Sequence, residues 1–382
     1  MIFGSESLQQ SFFVHLFTIE LINSSKDATG AEPLATGCHV DAFAVFDPSL
    51  EMPQIWKTVC IVAAVAVSVV GVLVWKKKRS YVKVGTISKL YFFPVKSLKG
   101  MEVTKGKCTK LGFEVNGVLE RSFMLVNKEG AFFTQRDAPS LALLSTQVDG
   151  KKLTISTPSG KQLKVDIKDS FGPDDKIIEC RVVADSTKGV DCGDEAASFF
   201  QSYVDVPDIR LVRHFPSVSH REYIRNNPFE LHLRKENQVA FQDLAPIHVL
   251  SKTSVDDLNA RLEEQKVTEL NFRPDIFIDG CEPYAEDSWR YIKFNSGVVL
   301  NNLTMITRCL LTTNNPATGV LSKKEPLVTL RKYRIPKDPK IVKQIGSLPC
   351  LGIGCGVLRS GDISVGDEIF ADVGPQPEMK VK

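Results

Sequence analysis

Short alternating strands separated by turn residues constrain the fold of this 382-residue chain more than any other feature. KLTIST (152–157) and QLKVDI (162–167) alternate apolar and polar residues, which is the period of a half-buried strand. Asn127-Lys-Glu-Gly130, Asp149-Gly150 and Pro158-Ser-Gly160 supply turns at short intervals. The pattern predicts a mixed α+β, β-rich fold in which small sheets or barrels alternate with few helices.

The strand pattern predicts two globular units. The first is a small β-barrel domain over 84–205, and the second is a β-barrel domain over 206–373. The few predicted helices are DEAASFFQSYV (194–204), VDDLNARLEEQ (255–265) with Ser254 or Thr253 as its N-cap, and KEPLVTLRKYR (324–334) with Pro326 at its first position.

An apolar run precedes the two units. Residues 59–75 carry no charge and are long enough to cross a bilayer as a short helix. Trp56 and Trp75 flank the run and K-K-K-R follows it at 76–79, so the positive-inside rule keeps the chain beyond it in the cytosol. A secretory signal peptide is the alternative, but its basic residues would precede the apolar run. We therefore expect a transmembrane anchor with a basic flank over 55–79.

The residues before the anchor are acidic. The first 50 carry six carboxylates and one lysine, whereas a mitochondrial transit peptide is rich in arginine and poor in acid. We expect a disordered leader over 1–54. The formal net charge of the chain is only +3, which does not favour nucleic-acid binding.

The nine cysteines are scattered through the chain and contain no C-x-x-C pair, so they do not resemble a disulfide framework. Cys350 and Cys355 lie close in sequence, but no second pair of Cys or His residues completes a zinc site nearby. The six histidines form no metal-binding motif. The pattern indicates reduced thiols in a compartment that faces the cytosol.

Cys309, in TRCLLTT (307–313), lies in a strand-like run directly after an arginine. By residue type alone it is a small core residue. A cationic neighbour would instead favour the thiolate, which can serve as a nucleophile or as a ligand to a soft metal. No Cys-His-Asn signature surrounds it, which favours the ligand role.

Basic residues stand at the ends of several apolar strands, where pairing with a carboxylate is the ordinary explanation for each one alone. Together they indicate a pocket for an anion, because the guanidinium fork matches phosphate. The candidates are Lys96 with its neighbour Ser97, and Arg121, Arg136, Arg273 and Arg308.

Several motifs resemble the MOSC family of molybdenum-cofactor proteins, and within it the mitochondrial amidoxime-reducing components. The resemblance spans about 84–373 and includes an N-terminal β-barrel domain before the MOSC domain. The motifs are FPVKSLKG (93–100), ERSFMLV (120–126), FTQRDAPSL (133–141), NFRPDI (271–276), YAEDSW (284–289), TRCLLTT (307–313) and TGVLSKKEPLVTLRKYR (318–334).

The resemblance implies that Cys309 ligates molybdenum in a molybdenum–molybdopterin cofactor. It also implies a set of cofactor-binding residues, in which Asp243 stands where relatives carry hydroxyl residues before a proline. This set is Lys96, Ser97, Arg121, Arg136, Asp243, Arg273, Thr307 and Arg308.

The resemblance further implies a reductase of N-hydroxylated compounds such as amidoximes and hydroxylamines. Its electrons would come from NADH through cytochrome b5 reductase and cytochrome b5. It would be anchored in the mitochondrial outer membrane with its catalytic domain in the cytosol.

Two other functions remain open from the sequence. One is a molybdenum-cofactor carrier or sulfur-transfer protein, since MOSC domains also end the cofactor sulfurases. Those enzymes carry a large pyridoxal-phosphate domain for which this chain has no room, so pyridoxal phosphate binding is not expected. The other is an inactive anchor that only binds a partner.

Overall fold

The computed structural model describes residues 79–219, 221–222, 238–263, 265–339, 342–343, 346 and 348–380. These residues belong to one compact unit, Lys77–Lys382. The predicted leader over 1–54 and the apolar run of the predicted anchor lie outside the described residues. Within the described part of the chain, no helix has the length and apolar character needed to cross a membrane.

The described residues are β-rich, as predicted. The strands are β1 (Val82–Phe92), β2 (Met101–Val103), β3 (Lys105–Thr109), β4 (Gly112–Val115), β5 (Val118–Leu119), β6 (Phe123–Val126), β7 (Phe132–Phe133), β8 (Ser145–Asp149), β9 (Lys152–Ser156), β10 (Gln162–Asp166), β11 (Ile177–Val182), β12 (Asp185–Asp191), β13 (Arg210–Arg213), β14 (Arg221–Glu222), β15 (Gln238–Val239), β16 (Ile247–Ser251), β17 (Ile276–Asp279), β18 (Trp289–Phe294), β19 (Val299–Thr307), β20 (Asn314–Asn315), β21 (Val320–Leu321), β22 (Ile335–Pro336), β23 (Cys350–Arg359), β24 (Gly361–Ser364), β25 (Glu368–Val373) and β26 (Met379–Lys380).

Seven strands form a closed barrel in the order β17-β16-β23-β19-β18-β25-β1, and β1 pairs with β17 to complete the ring. β16 and β17 pair in parallel, whereas β1 is antiparallel to both of its barrel neighbours. Gly85 lies at a register shift in β1, and a Cβ there would lie 2.2 Å from the carbonyl oxygen of Asp279. Closure at this point therefore requires glycine.

The barrel draws its first strand from the N-terminal part of the chain and all the others from beyond residue 246. Strands β3 to β13 lie mainly in three further sheets, with the orders β10-β9-β8, β11-β12-β13-β6-β7 and β24-β3-β4-β5. In the described residues these sheets do not join into a second hydrogen-bonded ring. The two predicted β-rich units therefore share a strand.

The described α-helices are α1 (Asp194–Val204), α2 (Lys252–Arg261) and α3 (Leu327–Tyr333). Short 3-10 helices are η1 (Pro139–Leu143), η2 (Glu269–Asn271), η3 (Ala285–Ser288) and η4 (Leu310–Thr313). The helix predicted at 194–204 is confirmed.

The bounds predicted for the other two helices are wrong. α2 begins earlier than 255, because the Ser251 hydroxyl at the end of β16 accepts a bond from the Ser254 backbone N–H and caps the helix. It ends earlier than 265, because Leu262 is extended and buried. α3 begins at Leu327, with Pro326 as the N-cap residue rather than the first helical one.

Candidate functional site

A cavity of about 320 Å³ gathers every residue that the sequence placed in the site. Its lining includes Lys96, Ser97, Arg121, Arg136, Asp243, Arg273, Thr307, Arg308 and Cys309. These residues come from distant parts of the chain, and the barrel and its neighbouring sheets bring them to one place.

Strand ends supply most of the lining. Lys96 and Ser97 follow β1, and Arg121 lies between β5 and β6. The backbone N–H of Lys96 donates to Phe123 O at 2.8 Å, and that of Arg121 donates to Phe93 O at 2.8 Å. These bonds tie the segment after β1 to the start of β6 and fix both basic residues beside the cavity.

Three of the site residues predicted from the sequence have a left-handed backbone. Their φ angles are 70° at Ser97, 47° at Arg121 and 58° at Arg273. Side chains other than glycine's adopt this region at a cost of about 1–2 kcal/mol. Such conformations collect at functional sites because the surrounding structure has to enforce them.

Lys96 is 4% exposed, and its Nζ donates to Phe241 O at 2.8 Å. It also forms an ion pair with Asp243, whose side chain remains 53% exposed. Burial lowers the pKa of Lys96 to about 8, although the Asp243 carboxylate acts in the opposite direction. The ammonium group thus has one carbonyl acceptor and one carboxylate partner.

Among the basic residues that line the cavity, Arg121 has the most carboxylate contact. Its Nη1 pairs with Glu120 and lies 3.2 Å from Asp275 Oδ1. Its Nη2 donates to the carbonyl oxygen of Arg273 at 3.2 Å. Both carboxylates are fully buried behind the guanidinium, and burial raises the pKa of Glu120 well above its usual range even though Arg121 opposes the shift.

Arg273 and Arg308 have no carboxylate partner among the described residues. Arg273 Nη1 donates to Leu98 O at 2.6 Å, but its Nη2 is shielded from solvent and has no hydrogen-bond partner there. Burial lowers the pKa of both guanidinium groups to about 9. Because arginine stays protonated at neutral pH, both positions carry buried charge that a bound anion would stabilise.

Cys309 follows Thr307 and Arg308 at the end of β19 and is the N-cap residue of η4. Its carbonyl oxygen accepts from the Thr312 backbone N–H at 3.1 Å and from its hydroxyl at 2.9 Å. Its thiol is free and half-buried. The position is therefore fixed by the backbone while the side chain lines the cavity.

The remaining described cysteines are unlike Cys309, because none of them lines this cavity. Burial raises the pKa of every one of them, so they remain thiols at neutral pH. They are Cys108, Cys180, Cys192, Cys281, Cys350 and Cys355.

No three His, Cys, Asp or Glu side chains of the described residues converge to form a protein-only metal site. A metal at Cys309 would have to bring its other ligands with it. The lining of the cavity holds five cationic side chains against one carboxylate, Asp243. This excess of positive charge, with guanidinium groups prominent in it, suits an oxyanion such as phosphate.

Comparison with known proteins identifies the family. Residues 84–207 match the MOSC N-terminal beta barrel domain, and residues 236–370 match the MOSC domain. Human mitochondrial amidoxime-reducing component 1 is 36% identical over 82% of this chain and 93% of its own length. The mouse protein of the same name is 34% identical over 86% of this chain and 95% of its own length. The chain belongs to the amidoxime-reducing component family.

Sequence reasoning missed several residues that line the cavity of this family member. They are Thr134, Val183, Gln242, Leu244, Ala245, His248, Asn271, Phe272, Ile306, Leu311, Thr312 and Leu348. For His248 there was a signal, because IHVLS places one polar ring in an otherwise apolar buried strand. The others have no distinguishing pattern, since they enter the cavity from loops, strand ends or the short helices η2 and η4.

Proposed function

We propose that this protein is a molybdenum-cofactor-dependent reductase that converts N-hydroxylated compounds, such as amidoximes and hydroxylamines, to the corresponding amidines and amines. Family membership supports the proposal, because curated relatives are named for amidoxime reduction. The observation that carries it is the free thiol of Cys309 in a cavity whose Arg273 and Arg308 lack carboxylate partners among the described residues.

The residues present fit a molybdenum–molybdopterin cofactor. The Nη2 of Arg273, which has no hydrogen-bond partner among the described residues, would donate to the phosphate of the cofactor. The ammonium group of Lys96, which pairs with Asp243, would lie beside it as a second positive charge. Ser97, Arg121, Arg136, Asp243, Thr307 and Arg308 line the same cavity and would complete the binding site. Cys309 would supply the protein ligand to the metal, which suits a soft thiolate.

The bound cofactor would supply the redox chemistry: an electron pair, together with protons, converts an N–OH group to N–H and releases water. The chain holds the cofactor with its cationic lining and keeps the Cys309 thiol at a fixed backbone position. Of the five cationic residues, Lys96 and Arg308 lie more than nine-tenths buried on the cavity wall.

The source of electrons and the location in the cell follow as parts of the proposal. Cytochrome b5, reduced by NADH–cytochrome b5 reductase, would deliver electrons to the site. The apolar run at 59–75 would anchor the protein in the mitochondrial outer membrane, with the cavity on the cytosolic side. The names of the relatives support a mitochondrial location, and the basic flank at 76–79 supports the orientation.

The test is molybdenum content by mass spectrometry, combined with benzamidoxime reduction, for the chain purified from a host that makes molybdopterin. We expect near-stoichiometric molybdenum in the wild type. Cys309→Ser should lose the native metal spectrum and at least about a hundredfold in turnover, because removing a group in contact with the reacting centre costs several kcal/mol. Cys281→Ser is the matched control, since Cys281 is also a half-buried free thiol but lies outside the cavity.

Each result has a distinct meaning. A wild-type chain that folds without molybdenum would contradict the proposal. Stoichiometric molybdenum without any reduction of N-hydroxylated compounds would instead favour the cofactor carrier. Equal turnover in Cys309→Ser and Cys281→Ser would remove Cys309 from the mechanism.

A further inference from the structure

His248 connects the two cavity arginines, Arg273 and Arg308, that lack carboxylate partners among the described residues. Its Nε2 lies 2.7 Å from Arg308 Nη2, and its Nδ1 lies 3.1 Å from the carbonyl oxygen of Arg273. A guanidinium can only donate and a carbonyl oxygen can only accept, so Nε2 must be the acceptor and Nδ1 must carry the proton. The two contacts together fix a neutral imidazole in one tautomer.

The neutral state agrees with the surroundings. His248 is 8% exposed. Burial lowers its pKa well below the usual value, and the charge of Arg308 adds to the shift. Its backbone N–H also donates to Asp275 Oδ2 at 2.7 Å, so the same residue is bound to the carboxylate that lies behind Arg121.

The fold leaves room for this ring at Gly352 in β23. A Cβ at Gly352 would lie 2.8 Å from His248 Nε2 and 2.8 Å from Val249 O. Gly352 also has a φ of 74°, a conformation that glycine adopts at little cost. Any larger residue at this position would push the imidazole away from Arg308.

The guanidinium of Arg308 is also held by backbone carbonyl oxygens. Its Nε donates to Leu351 O at 2.9 Å and its Nη1 to Phe272 O at 3.1 Å, and its Nη2 contacts both Leu351 O and His248. His248 is the only side chain in this set. The remaining acceptors are the backbone carbonyls of Leu351 and Phe272, so His248 supplies the one side-chain acceptor that fixes the direction of Nη2.

We propose that His248 is a positioning residue that orients the Arg308 guanidinium toward a bound phosphate group while its other ring nitrogen is held by the Arg273 carbonyl oxygen. The identity of the natural ligand rests on the proposed function. The anion-binding geometry is independent of it. Without the imidazole acceptor, an N–H of Arg308 Nη2 loses its partner, and only the bonds to backbone carbonyls still set the angle of the guanidinium. The affinity for an oxyanion should fall as a result.

The experiment measures inorganic phosphate binding by calorimetry to the full chain prepared without cofactor, next to molybdenum content of the chain prepared with it. His248→Leu removes the acceptor. His248→Gln restores an acceptor near the Nε2 position, whereas His248→Asn is shorter and restores one only near Nδ1. We expect His248→Leu and His248→Asn to weaken phosphate binding about tenfold, as for a lost hydrogen bond to a charged group, and His248→Gln to remain within about threefold of the wild type.

His214→Gln is the control for replacing a buried histidine outside this cavity and should leave phosphate binding unchanged. Equal weakening in His248→Gln and His248→Asn would overturn the inference, because ring shape rather than the acceptor would then matter. So would wild-type affinity in all three variants. Where His248→Leu fails to fold, the Gln and Asn variants carry the same comparison. A wild-type chain that binds phosphate but no molybdenum would contradict the proposed function and leave His248 testable.

Discussion

Glu120 and Asp275 are two buried carboxyl groups that share one guanidinium, Arg121. Glu120 also accepts from the Phe93 backbone N–H at 2.8 Å, and Asp275 from that of His248 at 2.7 Å. Two adjacent carboxylates in a dry site cannot both ionise without a large cost, so the pair retains a proton. The one carboxylate that stays ionised balances the charge of Arg121, so the three groups together carry no net charge behind the cavity.

This arrangement predicts how stability depends on pH. Burial raises the pKa of Glu120 above its ordinary 4.5, so the folded state binds a proton that the unfolded state has released. The contribution of Glu120 to stability is therefore fully present below pH 4.5 and is lost as the pH rises from 4.5 through the raised pKa. We expect Glu120→Gln, which cannot ionise, to lose less stability between pH 5 and pH 8 than the wild type, by about 1 kcal/mol or more.

Urea unfolding at several pH values measures this difference. Glu179→Gln is the control, because Glu179 is an exposed glutamate that pairs with Lys188 at the surface. Parallel stability profiles for the wild type and Glu120→Gln would show that Glu120 is ionised in the folded protein.

At the scale of elements, α3 is attached to the barrel by one buried ion pair. Arg334, the residue after α3, pairs through Nη2 with Asp287 Oδ2 of η3 at 2.5 Å and donates through Nε to Cys350 O of β23 at 2.9 Å. Both side chains are at most 3% exposed. Burial raises the pKa of Asp287 to about 7 even though Arg334 acts in the opposite direction. The second oxygen of Asp287, Oδ1, has no hydrogen-bond partner in the described residues.

A double-mutant cycle tests this attachment. Breaking a buried pair leaves an unpaired charge, so Arg334→Met and Asp287→Leu should each lower the free energy of unfolding by about 3 kcal/mol. The double variant should lose much less than the sum, because it buries no unpaired charge. Additive losses in urea unfolding would show that the two side chains act independently.

The elements also show how far the sequence could predict the fold. Helix α1 follows from its pattern alone, because Ala196, Ala197, Phe199 and Phe200 form one buried face. Helix α2 could not be bounded, since its cap Ser251 belongs to the preceding strand and no local pattern separates it from Ser254. The basic residues could be found in the sequence by their positions at strand ends. The sequence could not show which of them lack a carboxylate partner, because such pairs join segments more than 100 residues apart, as Arg121 and Asp275 do.

The same limit applies to His248. Its ring interrupts an apolar strand, which a sequence reader can notice, but its role depends on Arg308, 60 positions away. The left-handed backbones of Ser97, Arg121 and Arg273 were also beyond reach, because none of these residue types signals a positive φ. Chemistry-bearing residue types were predictable, and their backbone geometry was not.

At the scale of the whole molecule, β1 joins the two β-rich parts of the chain. Its eleven residues pair with β17 on one side and β25 on the other, and β1 contributes Ile87, Leu90 and Phe92 to the core with exposures of 1%, 0% and 0%. Sequence patterns suggested separate units because they cannot show which strands pair at long range. A barrel that lacks β1 would leave two strand edges open and expose part of its core.

We therefore expect the fragment 206–382 to lack cooperative unfolding, whereas the fragment 79–382 should unfold in one transition. In 79–382 the far-UV circular dichroism and the fluorescence of Trp289, its single tryptophan, should change together in urea.

Gly85→Val in 79–382 should also abolish cooperative unfolding, because its Cβ would lie 2.2 Å from Asp279 O and block the closure of the barrel. Gly172→Val, in an open loop where the nearest atom lies 4.0 Å from the added Cβ, should unfold like the unsubstituted fragment. Cooperative unfolding of 206–382 would show that the remaining six strands form a stable core without β1.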